Sequence, residues 1–228
     1  GSLTLNSINI SNNGSDTGLT LYTNGDISLN NVEVTPSVNG ADLNAGGDVT
    51  ITGSNFDKNK KKGANINAGG KVDISNNTFN QNGSFDGNTG KGVEVNSSGS
   101  VSLASVEANN NQAFGANINS TGSVTINDSF FSGNVEYRFY CVTCTEKFAI
   151  GGFGIQVVTP GDISIDGITS DNNYNFGANL SGAQVMVSNG SFNTNGTGRL
   201  EESEGYGLQI KSTGDLGVTL DTISANNN

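Results

Sequence analysis

Apolar and polar residues alternate along this chain in short runs, and the runs return every 22–23 residues wherever nothing is inserted. GANINAGGKVDISNNTFNQN at 63–82 comes back as GANINSTGSVTINDSFFSGN at 115–134. One glycine series, Gly18, Gly40, Gly63, Gly92, Gly115, Gly154, Gly177 and Gly207, opens a run in each period. Its apolar pairs include Leu19/Leu21, Ala64/Ile66, Val93/Val95 and Leu208/Ile210. A second series, from Gly25 to Gly214 with Ala183 standing in once, precedes another run. That run carries Ile27/Leu29, Val72/Ile74, Val124/Ile126 and Val218/Leu220, and Leu3/Leu5 belongs to the same set. Strict alternation puts one side chain in two on a buried face, which predicts strands rather than helices. Seven residues beyond the start of the second run stand Ile10, Val34, Phe56, Phe79, Ala108, Phe131, Phe192 and Ala225, with Ser170 the exception.

A short period repeated without helical segments means stacked units that bury a common core. The pattern predicts an all-β chain folded as a right-handed three-stranded parallel β-helix, or β-solenoid, of about nine turns. Each strand pairs with its own copy roughly 4.8 Å along the axis. Ten residues after the start of the second run come Asn13, Asn59, Asn82, Asn111, Asn134, Asn173, Asn195 and Asn228, with Ser37 the one departure. Asparagine tolerates left-handed backbone and can bond to its copies in stacked turns, so this series is read as a structural ladder at a corner. Insertions at 83–91, 135–153 and 196–206 interrupt the period on one edge. The whole of 1–228 reads as one solenoid domain that begins and ends mid-turn without a polar cap. It is expected to belong to a longer chain or an end-to-end assembly.

Composition changes this picture little. Only 33% of the 228 residues are hydrophobic and 33 are glycine, a balance otherwise typical of disorder, but disorder needs no period. Ten basic against 21 acidic residues repel phosphates and argue against nucleic acid as a partner. No apolar run is long enough to insert into a membrane. Asp26, Asp48, Asp162 and Asp215 follow second-series glycines, but Lys71, Ser100, Ser123 and Gln184 interrupt them, so no column of cation ligands forms and no cofactor or metal is expected. Cys141 and Cys144 lack the second pair or the histidines of a zinc site. They read as a local disulfide, with intermolecular pairing or a free dithiol as alternatives. Around them Tyr137, Arg138, Phe139, Tyr140 and Phe148 form a candidate contact loop.

Turns in the style of GANI at 63–66 and GDVTITGSNFDKN at 47–59 resemble the right-handed, pectin-lyase-like β-helix repeats of bacterial surface proteins, such as large secreted adhesins. The resemblance implies an extracellular, cell-surface setting. Pectate lyases and polygalacturonases are similar in turn length, but their chemistry needs clustered acids with Arg or His on one face. Here there is no histidine, Arg138 and Arg199 both lie in insertions, and Asp42 and Glu94 project two turns apart with Asn65 between. The chain is therefore expected not to be an enzyme. The expected function is a structural module that forms or spaces a cell-surface fibre or adhesin. Its partners would be its own copies end to end, neighbouring repeats, or glycans and cell-surface material. The alternative is a carbohydrate-binding module that uses the loop 135–153.

Overall fold

A strand with one apolar face is satisfied only when that face meets another, and a coil of stacked turns achieves this with each turn's own strands. The computed structural model describes residues 1–13, 16–83, 90–139, 147–196 and 205–228, and the side chains of 12–13, 137–139 and 147–150 are left aside. Two parallel sheets dominate it. The nine-stranded sheet stacks the second-run strands in order, from Leu3–Asn13 through Ile27–Ser37, Val49–Thr52 and Val72–Thr78 to Val218–Ser224. The eight-stranded sheet stacks the first-run strands, from Leu19–Thr23 to Tyr206–Ser212. Each strand hydrogen-bonds to its copy one turn away, in the register of the apolar pairs. Val72 stands opposite Val49 and Val101, and Ala116 opposite Val93 and Ile155. The chain is a parallel β-helix.

The third side carries the expected third strand in short pieces. Ile8, Asn9, Ile10 and Ser11 pair with Val32, Glu33, Val34 and Thr35, Asn77 and Thr78 with Val106 and Glu107, and Gly190 and Ser191 with Ile223 and Ser224. Between these, single bridges join Glu33 to Asn55, Asn55 to Thr78, Glu107 to Phe130, Phe130 to Thr169 and Thr169 to Ser191. Two columns of left-handed residues bracket it. One column, four residues into the second run, is Ser7, Asn31, Gly53, Asn76, Ser105, Asp128, Gly167, Asn189 and Thr222. The other is Lys58, Gln81, Asn110, Gly133, Asn172, Thr194 and Asn227. The second column sits one residue before the asparagine series. The ladder asparagines therefore do not themselves take the left-handed turn; they follow it, and their side chains point inward.

Those side chains join successive turns. Asn59 donates from its backbone N–H and its Nδ2 to Asn82 Oδ1 at 2.9 and 3.2 Å. The same pair of bonds recurs from Asn82 to Asn111, Asn111 to Asn134, Asn134 to Asn173 and Asn173 to Asn195. Asn195 donates through its backbone N–H to Asn228 Oδ1, and Ser37, where the series lapses, donates its own to Asn59 Oδ1. Of Asn13 the structure describes only backbone, paired with Ser37. A second buried polar column, unmarked by the apolar pattern, holds Ser54, Asn77 and Ser129. Ser54 Oγ accepts from Val32 N–H, Asn77 Oδ1 from Ser54 N–H and Ser129 Oγ from Val106 N–H. Backbone polar groups at a corner have no strand partner, so side chains supply one.

The ladder also explains the first glycine series. A β-carbon on Gly92 would fall well inside contact distance of the Gly115 carbonyl oxygen and 2.8 Å from Asn111 Nδ2. The turns approach one another there too closely for any side chain. Between the sheets, Phe56, Phe79, Phe131 and Phe192 are fully buried in one column, with the Phe56 and Phe79 rings stacked at 5.3 Å. Ser170, the polar exception in that column, is buried with its hydroxyl within hydrogen-bond distance of the Gly177 and Phe131 carbonyls, at 2.6 and 3.2 Å.

Candidate functional site

Alternation that buries one half of each first-run strand presents the other half to solvent, so the outer face of the eight-stranded sheet carries its side chains in rows along the axis. One row is Thr20, Asp42, Asn65, Glu94, Asn117, Gln156, Asn179 and Gln209. Two residues further along each strand runs Tyr22, Asn44, Asn67, Asn96, Asn119, Val158, Ser181 and Lys211. Beyond this second row the chain bends through small residues, Ala45–Gly46, Ala68–Gly69, Ser97–Ser98 and Ser120–Thr121. Small side chains at the bend beside protruding asparagines leave an open groove of about 880 Å³. It crosses five turns and is lined by 22–24, 44–46, 67–69, 96–98 and 119–121.

The asparagines in this groove form an outer ladder. Asn67 Nδ2 donates to Asn44 Oδ1 at 2.9 Å, Asn96 to Asn67 at 3.0 Å and Asn119 to Asn96 at 3.4 Å. An amide has two donor hydrogens and two acceptor sites, so each one placed mid-ladder keeps a donor and an acceptor for solvent or a ligand. At one end of the row the ring of Tyr22 is 67% exposed. An amide row closed by a free aromatic face suits a polyhydroxylated chain.

Beside the groove lies a compact charged cluster. Lys62 and Lys91 each place an ammonium against one oxygen of Glu94, and Asn117 Nδ2 donates to Glu94 at 3.4 Å. Burial works to raise the Glu94 carboxyl, but the hydrogen bonds and charges of the two lysines outweigh it and hold Glu94 below the ordinary glutamate range. The group is thus held as an anion, which makes it a weak base and leaves it poorly suited to donating a proton. Asp42 stands two turns away with Asn65 between, as the sequence spacing predicts, and accepts from Asn44 and Asn65 at 3.2 and 3.0 Å. A depressed folded-state value stabilises above the unfolded value, and the contribution disappears as pH falls through the folded one. Glu94→Gln is therefore expected to flatten the acid limb of stability against pH by about 1 kcal/mol or less, given solvent screening. Parallel acid limbs for the two proteins in urea titrations would remove the ion pairs from the account.

A further row lies one residue before the first glycine series, where Lys91, Phe114, Phe153, Phe176 and Tyr206 stand in register. The four rings stack at 4.7, 4.9 and 5.4 Å, and Lys91 Nζ lies 5.4 Å from the Phe114 centroid. Stacking occupies the ring faces that would otherwise meet a sugar, so this row stiffens the sheet and the groove is the better site.

The candidate contact loop is in part an antiparallel hairpin. Glu136–Phe139 pairs with Lys147–Gly151, setting Tyr137 opposite Ala149, Arg138 opposite Phe148 and Phe139 opposite Lys147. Tyr140, Cys141 and Cys144 lie outside the described residues. The second-series aspartates bond to the next turn's backbone, Asp26 to Asp48 N–H at 2.9 Å and Asp48 to Lys71 N–H at 2.7 Å. Among the described residues no group of three or more acidic, cysteine or histidine residues is placed to hold a metal. Sequence reasoning missed the groove and the aromatic row, although both keep constant offsets from the first glycine, four after and one before.

No curated protein matches the chain. Among solved structures it is similar to the pectate lyase Pel9A, at 18% identity and a TM-score of 0.61. The alignment covers 100% of this chain and 65% of the lyase. The periplasmic alginate epimerase AlgG is aligned over 97% of this chain and 58% of its own, at 13% identity and a TM-score of 0.48. The chain thus spans less than two thirds of either structure. The lyase corrects the expectation that the chain is not an enzyme, because an enzyme shares this fold along the whole of the chain. At this identity the likeness is one of fold, and any chemistry has to be argued from this chain's own face. Residues 1–147 match the family described as the right handed beta helix region, and with its parallel sheets and stacked turns the chain belongs to that family.

Proposed function

We propose that the protein engages an extended polysaccharide laid along the outer face of its eight-stranded sheet. The carrying observation is the groove, which offers one asparagine per turn across successive turns and an exposed tyrosine at its end. Strand copies recur every ~4.8 Å along the axis, close to the advance per sugar of an extended pyranose chain, so a linear glycan meets the same amide once per residue. The likeness in fold to a pectate lyase supports a glycan-directed reading over that of a bare surface fibre. An extracellular or periplasmic setting, where such polymers occur, belongs to the same reading. Relative to the sequence-level alternative, the contact surface moves from the 135–153 insertion to the sheet face.

The expected result is retention by polysaccharide in affinity electrophoresis, weakened about thirtyfold by Asn67→Ala with Asn96→Ala, since two lost hydrogen bonds at about 1 kcal/mol each sum to about 2 kcal/mol. Replacing residues 140–146 by a glycine linker should leave retention unchanged. The reverse pattern would return the site to the insertion. A second reading adds chemistry to the groove, favoured by the Lys62–Glu94–Lys91 cluster two residues along the strand from Asn96. Release of reducing ends or unsaturated sugars that Glu94→Gln abolishes, with retention intact, is its signature.

A further inference from the structure

We propose, building on the groove reading above, that the glycan it takes is an uncharged one, recognised through its hydroxyls. The lining of five turns contains no lysine, no arginine and no acid. A polyuronate carries a carboxylate on every sugar, and binding it in register would require a cation on each turn or a bound metal between chain and protein. The groove offers neither, and the whole chain carries 10 basic against 21 acidic residues. Lys62 and Lys91 are taken up by Glu94, while Asp42, which accepts from two amides, and Asp26 and Asp48, which accept from backbone N–H groups, keep their negative charge. A polyanion laid there would lose water and meet no compensating charge.

The amides themselves point the same way. Asn67 and Asn96 each spend one donor and one acceptor within the ladder. What remains at each is a donor beside an acceptor, the complement of a hydroxyl, which both gives and takes a hydrogen bond; a carboxylate only accepts and would leave half of every amide unpaired. Tyr22, exposed at the row's end, adds a ring face for the apolar side of a terminal sugar.

The test uses calorimetric titration of the intact chain with cello-oligosaccharides, xylo-oligosaccharides and oligogalacturonates of matched length. A neutral series is expected to bind with affinity that rises with length up to the span of the groove and changes little with salt. Oligogalacturonates should bind at least about tenfold more weakly. Tyr22→Ala is expected to weaken the neutral ligand about fivefold. Oligogalacturonate binding as tightly or more tightly, falling steeply with salt and weakened by Asn67→Ala with Asn96→Ala, would overturn the uncharged-glycan inference while leaving the groove reading in place. Binding of any series that ignores those asparagine substitutions would sink the groove reading and this inference with it.

Discussion

Asn111→Ala is expected to lower the unfolding free energy by about 2–5 kcal/mol, as read from urea or guanidinium titrations. Asn111 is 1% exposed, and its Oδ1 accepts both the backbone N–H and the Nδ2 of Asn82, at 2.9 and 3.1 Å. Its own backbone N–H and Nδ2 both reach Asn134 Oδ1. Truncation leaves two donors of Asn82 buried without an acceptor. Each stranded donor costs about 1–3 kcal/mol. Asn111→Asp keeps an acceptor but buries a charge without a cation, so it should be no better tolerated. The matched control is Asn119→Ala, an exposed member of the outer ladder whose single bond is 3.4 Å long. That change is expected to stay within about 0.5 kcal/mol. Equal effects for the inner and outer substitutions would show that the inner ladder contributes no more than surface asparagines do.

How much of this was legible in the sequence follows from which physical constraints are unique in residue type. Alternating burial admits only apolar residues inward, so the columns headed by Leu3 and Leu19 stood out and the register could be read without coordinates. The close approach at Gly92 and its copies admits only glycine, so that series was visible, although its steric cause was not. The left-handed bend four residues into the second run is served by serine, asparagine, aspartate, threonine or glycine, so nothing in the spelling separated it from ordinary surface. The two bends that bracket the third strand were hidden for that reason. The groove escaped notice because asparagines at a constant offset do not stand out in an asparagine-rich chain. The non-enzyme expectation failed in a different way. It argued from missing histidine, from arginines confined to insertions and from acids two turns apart, whereas acid–base work can also be done by carboxylates and lysines, and Lys62, Glu94 and Lys91 converge on the outer face.

Phe131→Ala is expected to be the most damaging single core truncation, at about 3–5 kcal/mol. Its column neighbours decide this. Phe79 has the Phe56 ring stacked on it, so Phe79→Ala leaves a large side chain next to the gap. Phe131 stands between Ala108 and Ser170, both small and both fully buried. Its removal would place three small residues on consecutive turns and open one continuous void, and the cost of a void grows with its volume. In a stack each turn is held by its neighbours alone, so a weakened junction also loosens the coupling between the parts on either side. Thermal unfolding followed by circular dichroism should therefore broaden or split for Phe131→Ala, with amide exchange accelerating first in the turns around 124–134 and 163–173. Phe79→Ala should shift the midpoint while keeping a single transition. If Phe131→Ala unfolds as sharply as the parent and costs no more than Phe79→Ala, the column relaxes to fill the gap and the turns are coupled chiefly through their two sheets and the asparagine ladder.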